Sequence, residues 1–211
     1  MNAVLPLYAL ADLIRWLMPI LGDGAAETVL PGQDEDAVWL ARVADGDESA
    51  LQRLFDKWKL PLLSFFYRSL GSHADAEDLT LEVFVRLHRA AGDYRPTAKF
   101  STYLFHIAQN LMRNEFRRRR RKPAQAVPPE LFDQVESSTA GTTQRLNELE
   151  EVLQWALTRL PDKSRAALLL VQQQQMSYPE AAAALGMTEN ALRVLVHRAR
   201  QLLKTEMEAI S

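Results

Sequence analysis

The chain has 211 residues, room for one large domain or two small ones, with an ordinary apolar share of 47% and a formal net charge of -2. A uniformly basic coat for nucleic acid is excluded: the charge is segregated instead, acidic at 34–36, 45–48, 75–78 and 148–151 and basic at 113–122 and 193–204. So polarised a chain suits a polyanion at some faces and a basic protein partner at others. The lack of cysteine excludes disulfides and thiolate metal sites and fits a reducing cytoplasm, and the four histidines have no ligand spacing.

Residues 5–21, LPLYALADLIRWLMPIL, are the most apolar stretch. Asp12, Arg15 and two prolines interrupt it, and it falls short of the ~20 clean residues a membrane helix needs. No positive charge precedes it, so a secretory signal is not expected. The expectation is an extension over 1–33 with one amphipathic helix at 8–18, packed on the body or on a partner. Helical periodicity begins at about Asp36 with Val38, Leu40, Ala41, Val43 and Ala44. Asp47 then caps a helix carrying Leu51, Leu54, Phe55 and Trp58. Pro61 is expected to kink or restart that helix, because it removes an interior hydrogen bond. Leu62, Leu63, Phe65, Phe66, Tyr67 and Leu70 continue the apolar face to a stop at Gly71. A third helix is expected from about Ala74, with Asp75, Glu77 and Asp78 in the first turn, where the helix dipole favours negative charge. Leu79, Val83, Phe84 and Leu87 form its buried stripe, opposite Asp78, Glu82, Arg86 and Arg89. Residues 92–99, GDYRPTAK, read as a loop.

That loop leads into the stretch that organises the chain, FSTYLFHIAQNLMRNEFRRRRRK at 100–122. Phe100, Tyr103, Leu104, Ile107 and Leu111 fall on one helical face, while Gln109, Asn110, Arg113, Asn114 and Arg117 crowd the other. Amides and guanidinium groups suit phosphates and base edges, and Tyr94 and Tyr103 could stack on an unpaired base; Phe100 is better placed as core. A solvated basic tail would explain the charge at the helix end, where cations complement the dipole, but not the amides interleaved with arginines on one face.

Pro123 closes this helix, and the composition of 123–142 is that of a linker with one weak apolar cluster, Val127 to Phe132 with Val135. The second domain, 143–211, opens with Leu146, Leu149, Leu153, Ala156, Leu157 and Leu160 on one face; Pro161 starts the next helix, which ends in a glutamine run at 172–175 with no assigned role. Ser177 and Glu180 have capping-box spacing, Gly186 supplies the left-handed residue of a tight turn, and Thr188 caps a longer helix with Leu192, Leu195, Val196, Ala199, Leu202 and Leu203 expected inside. Arg193, His197, Arg200 and Lys204 line its far face. A short helix, a turn with glycine and a longer helix with a basic outer face is a helix-turn-helix whose second helix enters the major groove; a basic but solvated helix is the plain alternative. The fold expected is thus all-α: two small helical domains, 34–122 and 143–211, joined by a flexible linker, with the helix-turn-helix in the second.

Taken in order, DAEDLTLEVFVRLHRA at 75–90, FSTYLFHIAQNLMRNEFRRRRR at 100–121, and LPDKSRAALLL with SYPEAAAALGMTENALRVLVHRAR resemble a bacterial sigma factor of the extracytoplasmic-function group, which keeps only sigma domains 2 and 4. The resemblance covers about 34–208. It implies that the helix bearing Asp75, Asp78, Leu79, Glu82, Val83 and Arg86 binds the clamp helices of core RNA polymerase. It implies that Tyr94, Lys99, Tyr103, His106, Gln109, Asn110, Arg113, Asn114, Arg117, Arg118, Arg120 and Arg121 read and help melt the minus-ten promoter element. Thr188, Glu189, Asn190, Arg193, Val194, His197, Arg198 and Arg200 would read the minus-35 element. An anti-sigma factor is a further candidate partner. This chain has Tyr103 where the family often has tryptophan and Asn114 where it often has aspartate. Val194 and Leu195 stand where many members are polar, so Val194 could meet a thymine methyl.

Promoter elements two helical turns apart are separated by ~70 Å. A linker of about 20 residues reaches ~66–72 Å fully extended but averages only ~25 Å as a free coil. A larger partner must therefore stretch it, and weak promoter binding is expected of the chain alone. The competing reading is a helix-turn-helix regulator acting without replacing a sigma factor. An enzyme is not expected, since no nucleophile and base constellation, phosphate-binding glycine loop or carboxylate metal cluster is present, and with it go cofactors and small-molecule substrates.

Overall fold

The computed structural model describes residues 34–121 and 142–208, with side chains of the second stretch described over 150–206. The helix expected at 8–18, the linker cluster at 127–135, Lys122 and the side chains of Leu146 and Leu149 lie outside the described residues. Among the described residues all regular structure is helical: α1 (Glu35–Ala44), α2 (Glu48–Leu70), α3 (His73–Ala90), a 3-10 turn (Ala91–Asp93), α4 (Phe100–Arg121), α5 (Thr142–Arg159), α6 (Asp162–Gln172), α7 (Tyr178–Leu185) and α8 (Glu189–Glu208).

Local signals set the helix ends. Asp47 accepts from the N–H groups of Ser49 at 2.9 Å and Ala50 at 3.2 Å and so starts α2. The Ser49 hydroxyl, which also donates to Asp47 at 2.6 Å, foremost holds the Asp47 carboxyl down at about 2. Asp34 serves two helices at once, accepting from Asp36 N at 3.2 Å to cap α1 and from Phe100 N at 2.6 Å at the start of α4. This one carboxylate fixes where the organising helix begins relative to the amino-terminal one. Gly71 (φ 72°) ends α2 in the left-handed region, which costs glycine no Cβ clash.

The helix does not restart at Pro61: α2 runs on through it as one helix of 23 residues. Leu54 before the proline and Leu62, Phe65 and Phe66 after it are all fully buried, so packing on both sides outweighs the one lost hydrogen bond. These side chains join Leu40, Val83, Leu87, Leu104, Phe105 and Met112 in the core of the first half, where Phe65 meets Phe105 edge-on at 5.3 Å. Asp36 is buried beneath it with both oxygens satisfied, by Lys57 Nζ at 2.6 Å and Trp58 Nε1 at 3.1 Å. In the second half Leu153, Leu157, Leu168, Leu169, Leu185, Leu192, Val196, Ala199 and Leu203 are buried. Leu202, expected inside, is 45% exposed, because it lies one residue off the stripe that faces α6 and α7.

Candidate polymerase and nucleic-acid interfaces

Helix α3 buries Ala76, Thr80, Val83, Phe84 and Leu87. Its other face carries Asp78, Leu81, Glu82, Val85, Arg86 and Arg89, spaced three and four apart. Leu81 is 54% and Val85 42% exposed, and Arg86 pairs with Glu82 at 2.8 Å. This outward stripe is therefore part apolar and part charged, the composition of a protein-binding face. Two of the six residues assigned to polymerase are placed otherwise: Val83 is fully buried and Leu79 half-buried against the core, since both sit on the inward arc of the helix. Leu81 and Val85, which the pattern of Asp78 and Glu82 could have picked out at i+3 and i+7, are the exposed apolar residues instead. Asp75 points toward α4, where Arg119 holds it at 2.5 Å and Arg118 stands at 3.8 Å.

The loop after α3 and the first turns of α4 bring Tyr94 and Tyr103 together, ring centroids 4.9 Å apart, with Phe100 fully buried beneath. Burial raises the pKa of both phenols, so both remain neutral at physiological pH. Lys99 is mostly covered and paired with Glu180 at 2.6 Å, and the exposed ring of His106 places Nδ1 3.2 Å from the Ala184 carbonyl oxygen. Further along, Arg113, Asn114, Arg117, Arg118, Arg120 and Arg121 are exposed and Asn110 half-buried. Gln109, expected on the outer face, is buried with 8% exposure, because it sits at the edge of the stripe formed by Phe105, Ala108 and Met112. The arginine run is not uniform. Glu115 takes bidentate bonds from Arg118 at 2.6 and 2.7 Å and one from Arg119 at 2.9 Å, and Arg119 also donates to the Leu70 carbonyl at 3.1 Å. The Arg118 bonds foremost, against the effect of burial, hold the Glu115 carboxyl below its ordinary range. Arg119 thus belongs to the fold, and its exposed neighbours present the charge.

In the second half, Glu180 accepts from the N–H of Ser177 at 2.9 Å and Gly186 (φ 65°) turns the chain between α7 and α8. Thr188 is exposed and accepts from Ala191 N at 3.3 Å, capping α8 as expected. Asn190, Arg193, Val194, His197 and Arg198 are exposed along α8, Val194 by 48%. Arg193 is steered by Glu189, which accepts from its Nε at 2.9 Å, and lies over the Tyr178 ring at 4.4 Å. Arg200 is half-buried, its guanidinium turned toward the Gln172 side chain. No described helix is long and apolar enough to cross a membrane.

Residues 54–122 match the family model Sigma-70 region 2, and residues 150–203 match Sigma-70, region 4. The ECF RNA polymerase sigma factor EcfG of Rhodopseudomonas palustris is 35% identical over 145 residues, covering 68% of this chain and 78% of that protein. The ECF RNA polymerase sigma factor SigE of Mycolicibacterium smegmatis is 37% identical over 140 residues, 65% of this chain; the match spans about half, 54%, of SigE's own length. Among solved structures, CnrH in complex with the cytosolic domain of CnrY superimposes with a TM-score of 0.62 at 28% identity, covering 84% of this chain and all of CnrH. The region 2 match takes the first half of the chain away from a simple helix-turn-helix regulator. Both halves, in this order, place the chain in the ECF group of RNA polymerase sigma factors.

Proposed function

We propose that this chain is an initiation factor that docks on core RNA polymerase and directs it to promoters bearing two recognition elements. The outward stripe of α3, with Asp78, Leu81, Glu82, Val85 and Arg86, takes the polymerase. Tyr94, Lys99, Tyr103, His106, Asn110, Arg113, Asn114 and Arg117 take the minus-ten element and hold it open, since stacking and pocket hydrogen bonds offset the few kcal/mol that unstacking a base costs. Helix α8 takes the minus-35 element through Asn190, Arg193, Val194, His197 and Arg198.

The observation that carries this reading is the pairing, within the region 2 half, of a mixed apolar and charged stripe on α3 with an arginine and amide face on α4. One suits a protein and the other a nucleic acid, so the two need not compete for one partner. The reading assigns no catalysis to the chain and places its work in the cytoplasm, with the transcription machinery. CnrH is in complex with the cytosolic domain of CnrY, and an anti-sigma factor belongs to the same reading as a further partner. The deciding experiment is reconstitution with core polymerase on a promoter library, with sequencing of the transcript starts. Specific starts that depend on the chain are expected; a chain inert with core enzyme on every promoter rejects the reading.

A further inference from the structure

Helix α1 is apolar on two sides. Inward, Leu40 and Val43 are buried in the core. Outward, Val38 is 59% exposed, with Ala41 and Ala44 exposed beside it. Of EDAVWLARVA, all but Glu35, Asp36 and Arg42 are apolar, and a helix apolar nearly all round is ordinarily covered on every side. The outer side forms one wall of a groove of about 290 Å³, where Ala37, Ala41 and Ala44 are opposed by Ala91, Tyr94 and Pro96 of the turn and loop after α3. The second half of the chain packs elsewhere: Arg165 donates to the Ser69 carbonyl, Gln173 to the Ser64 hydroxyl and Gln174 to the Pro61 carbonyl, all on α2. Walls of alanine offer a small molecule few polar groups, but they admit the large side chains of another helix.

The sequence supplies such a helix next door. The residues before Asp34 include the most apolar stretch of the chain, at 5–21. In a helix over 8–18, Leu10, Leu13, Ile14 and Leu17 fall on one face at i, i+3, i+4 and i+7, with Tyr8, Asp12 and Arg15 opposite. The stripe from Leu10 to Leu17 and the one from Ala37 to Ala44 have the same length, about 10 Å along a helix axis. The joining residues 19–33 average ~20 Å as a coil, more than the ~15 Å of α1, so the segment can lie along α1 in either direction. A tether that short raises its effective concentration to roughly millimolar, and a modest contact then suffices. The region 2 match starts at residue 54 and includes neither α1 nor the segment.

We propose that residues 5–21 fold back as a helix into the groove between α1 and the loop after α3, leucines against alanines, and brace that loop. Tyr94 lines this groove and also the cleft of Tyr103 and His106, so a helix seated in the groove supports the tyrosine from behind. The brace rests on the reading of Tyr94 as part of the DNA face; the docking does not.

The test uses the full chain, which has no cysteine of its own. Leu13→Cys and Ala41→Cys stand near the middle of their stripes, so a disulfide between them is expected whichever way the segment runs. Under mild oxidation it should form within one chain at least tenfold faster than between Leu13→Cys and Gln201→Cys on α8. Arg15 is the only lysine or arginine before Arg42, so trypsin cleavage there reports on the segment. Ala41→Gln with Ala44→Gln, at two exposed positions where glutamine keeps the helix, is expected to speed that cut at least tenfold with circular dichroism unchanged. Equal rates for the two cysteine pairs, or a cut indifferent to the groove substitutions, overturn the docking. A disulfide-linked dimer in place of the internal bond overturns it by giving the segment to a second copy, and a cut slowed by core polymerase alone gives it to the polymerase. For the brace, the groove substitutions and Tyr94→Ala are each expected to lower initiation with core polymerase at least fivefold, and their combination no further than Tyr94→Ala alone. Full initiation by the groove variant, or losses that add, overturn the brace. A chain that initiates nowhere in any form rejects the proposed function and the brace with it, while the docking stands or falls on the disulfide and the cut.

Discussion

Glu115 is an acid inside a run of arginines, and its surroundings make it a structural residue. Three guanidinium bonds converge on a side chain that is 9% exposed, and through Arg119 the same cluster reaches Asp75 and the end of α2. Because its carboxyl is held below the ordinary value of 4.5, the stabilisation is fully present above that value and is lost as pH falls through the lowered one. Glu115→Gln is therefore expected to lower stability at pH 7 by roughly 1.5–3 kcal/mol, the scale of a hydrogen bond to a charged group. It should also flatten the dependence of Tm on pH below about 4.5, which thermal melts across that range would measure. A variant that melts like the wild type at pH 7 would mean that Arg118 and Arg119 are held without it.

At the scale of the element, α3 separates packing from docking within a single helix. Substituting Val83 by alanine removes buried core and is expected to cost ~2 kcal/mol of stability with little loss of polymerase binding per folded molecule. Charge reversal at Asp78 and Glu82, or Leu81→Asp with Val85→Asp, acts on exposed groups; each is expected to weaken co-purification with core enzyme at least tenfold while the circular dichroism stays helical. In α8, alanine at Arg193 and His197 is expected to cost about 1–3 kcal/mol of upstream duplex binding, seen as a lost footprint there. What could be read from the chain alone follows the same division. Caps at Asp47 and Thr188, the stops at Gly71 and Gly186 and the faces of α4 and α8 are local signals. They are set within one or two turns, and periodicity exposes them. The run through Pro61 and the inward turn of Gln109 depend on which neighbour lies where. The roles of Asp34, Gln173, Gln174 and Arg165 rest on partners 66 to 113 residues away, which no window of sequence contains.

For the whole molecule, the working arrangement sets the demand on the linker. In the free chain the two halves on either side of the linker touch along α2 and α4. At work, under the proposed function, it must let the reading faces of α4 and α8 stand ~70 Å apart, two turns of duplex, close to the ~66–72 Å that about 20 extended residues can reach. At that separation the linker is close to its full reach, so its length should matter there. Removing about eight residues from 123–142 leaves about 12, which reach ~40 Å. The shortened chain is expected to bind core polymerase through α3. It should nonetheless lose initiation at promoters that require both elements, because only one half can engage at a time. Replacing the deleted residues with a glycine and serine segment of equal length is expected to restore initiation, since reach is the property required. Full activity from the shortened chain would mean that the two faces work at a closer distance than two turns of straight duplex, and the promoter would then have to bend between its elements.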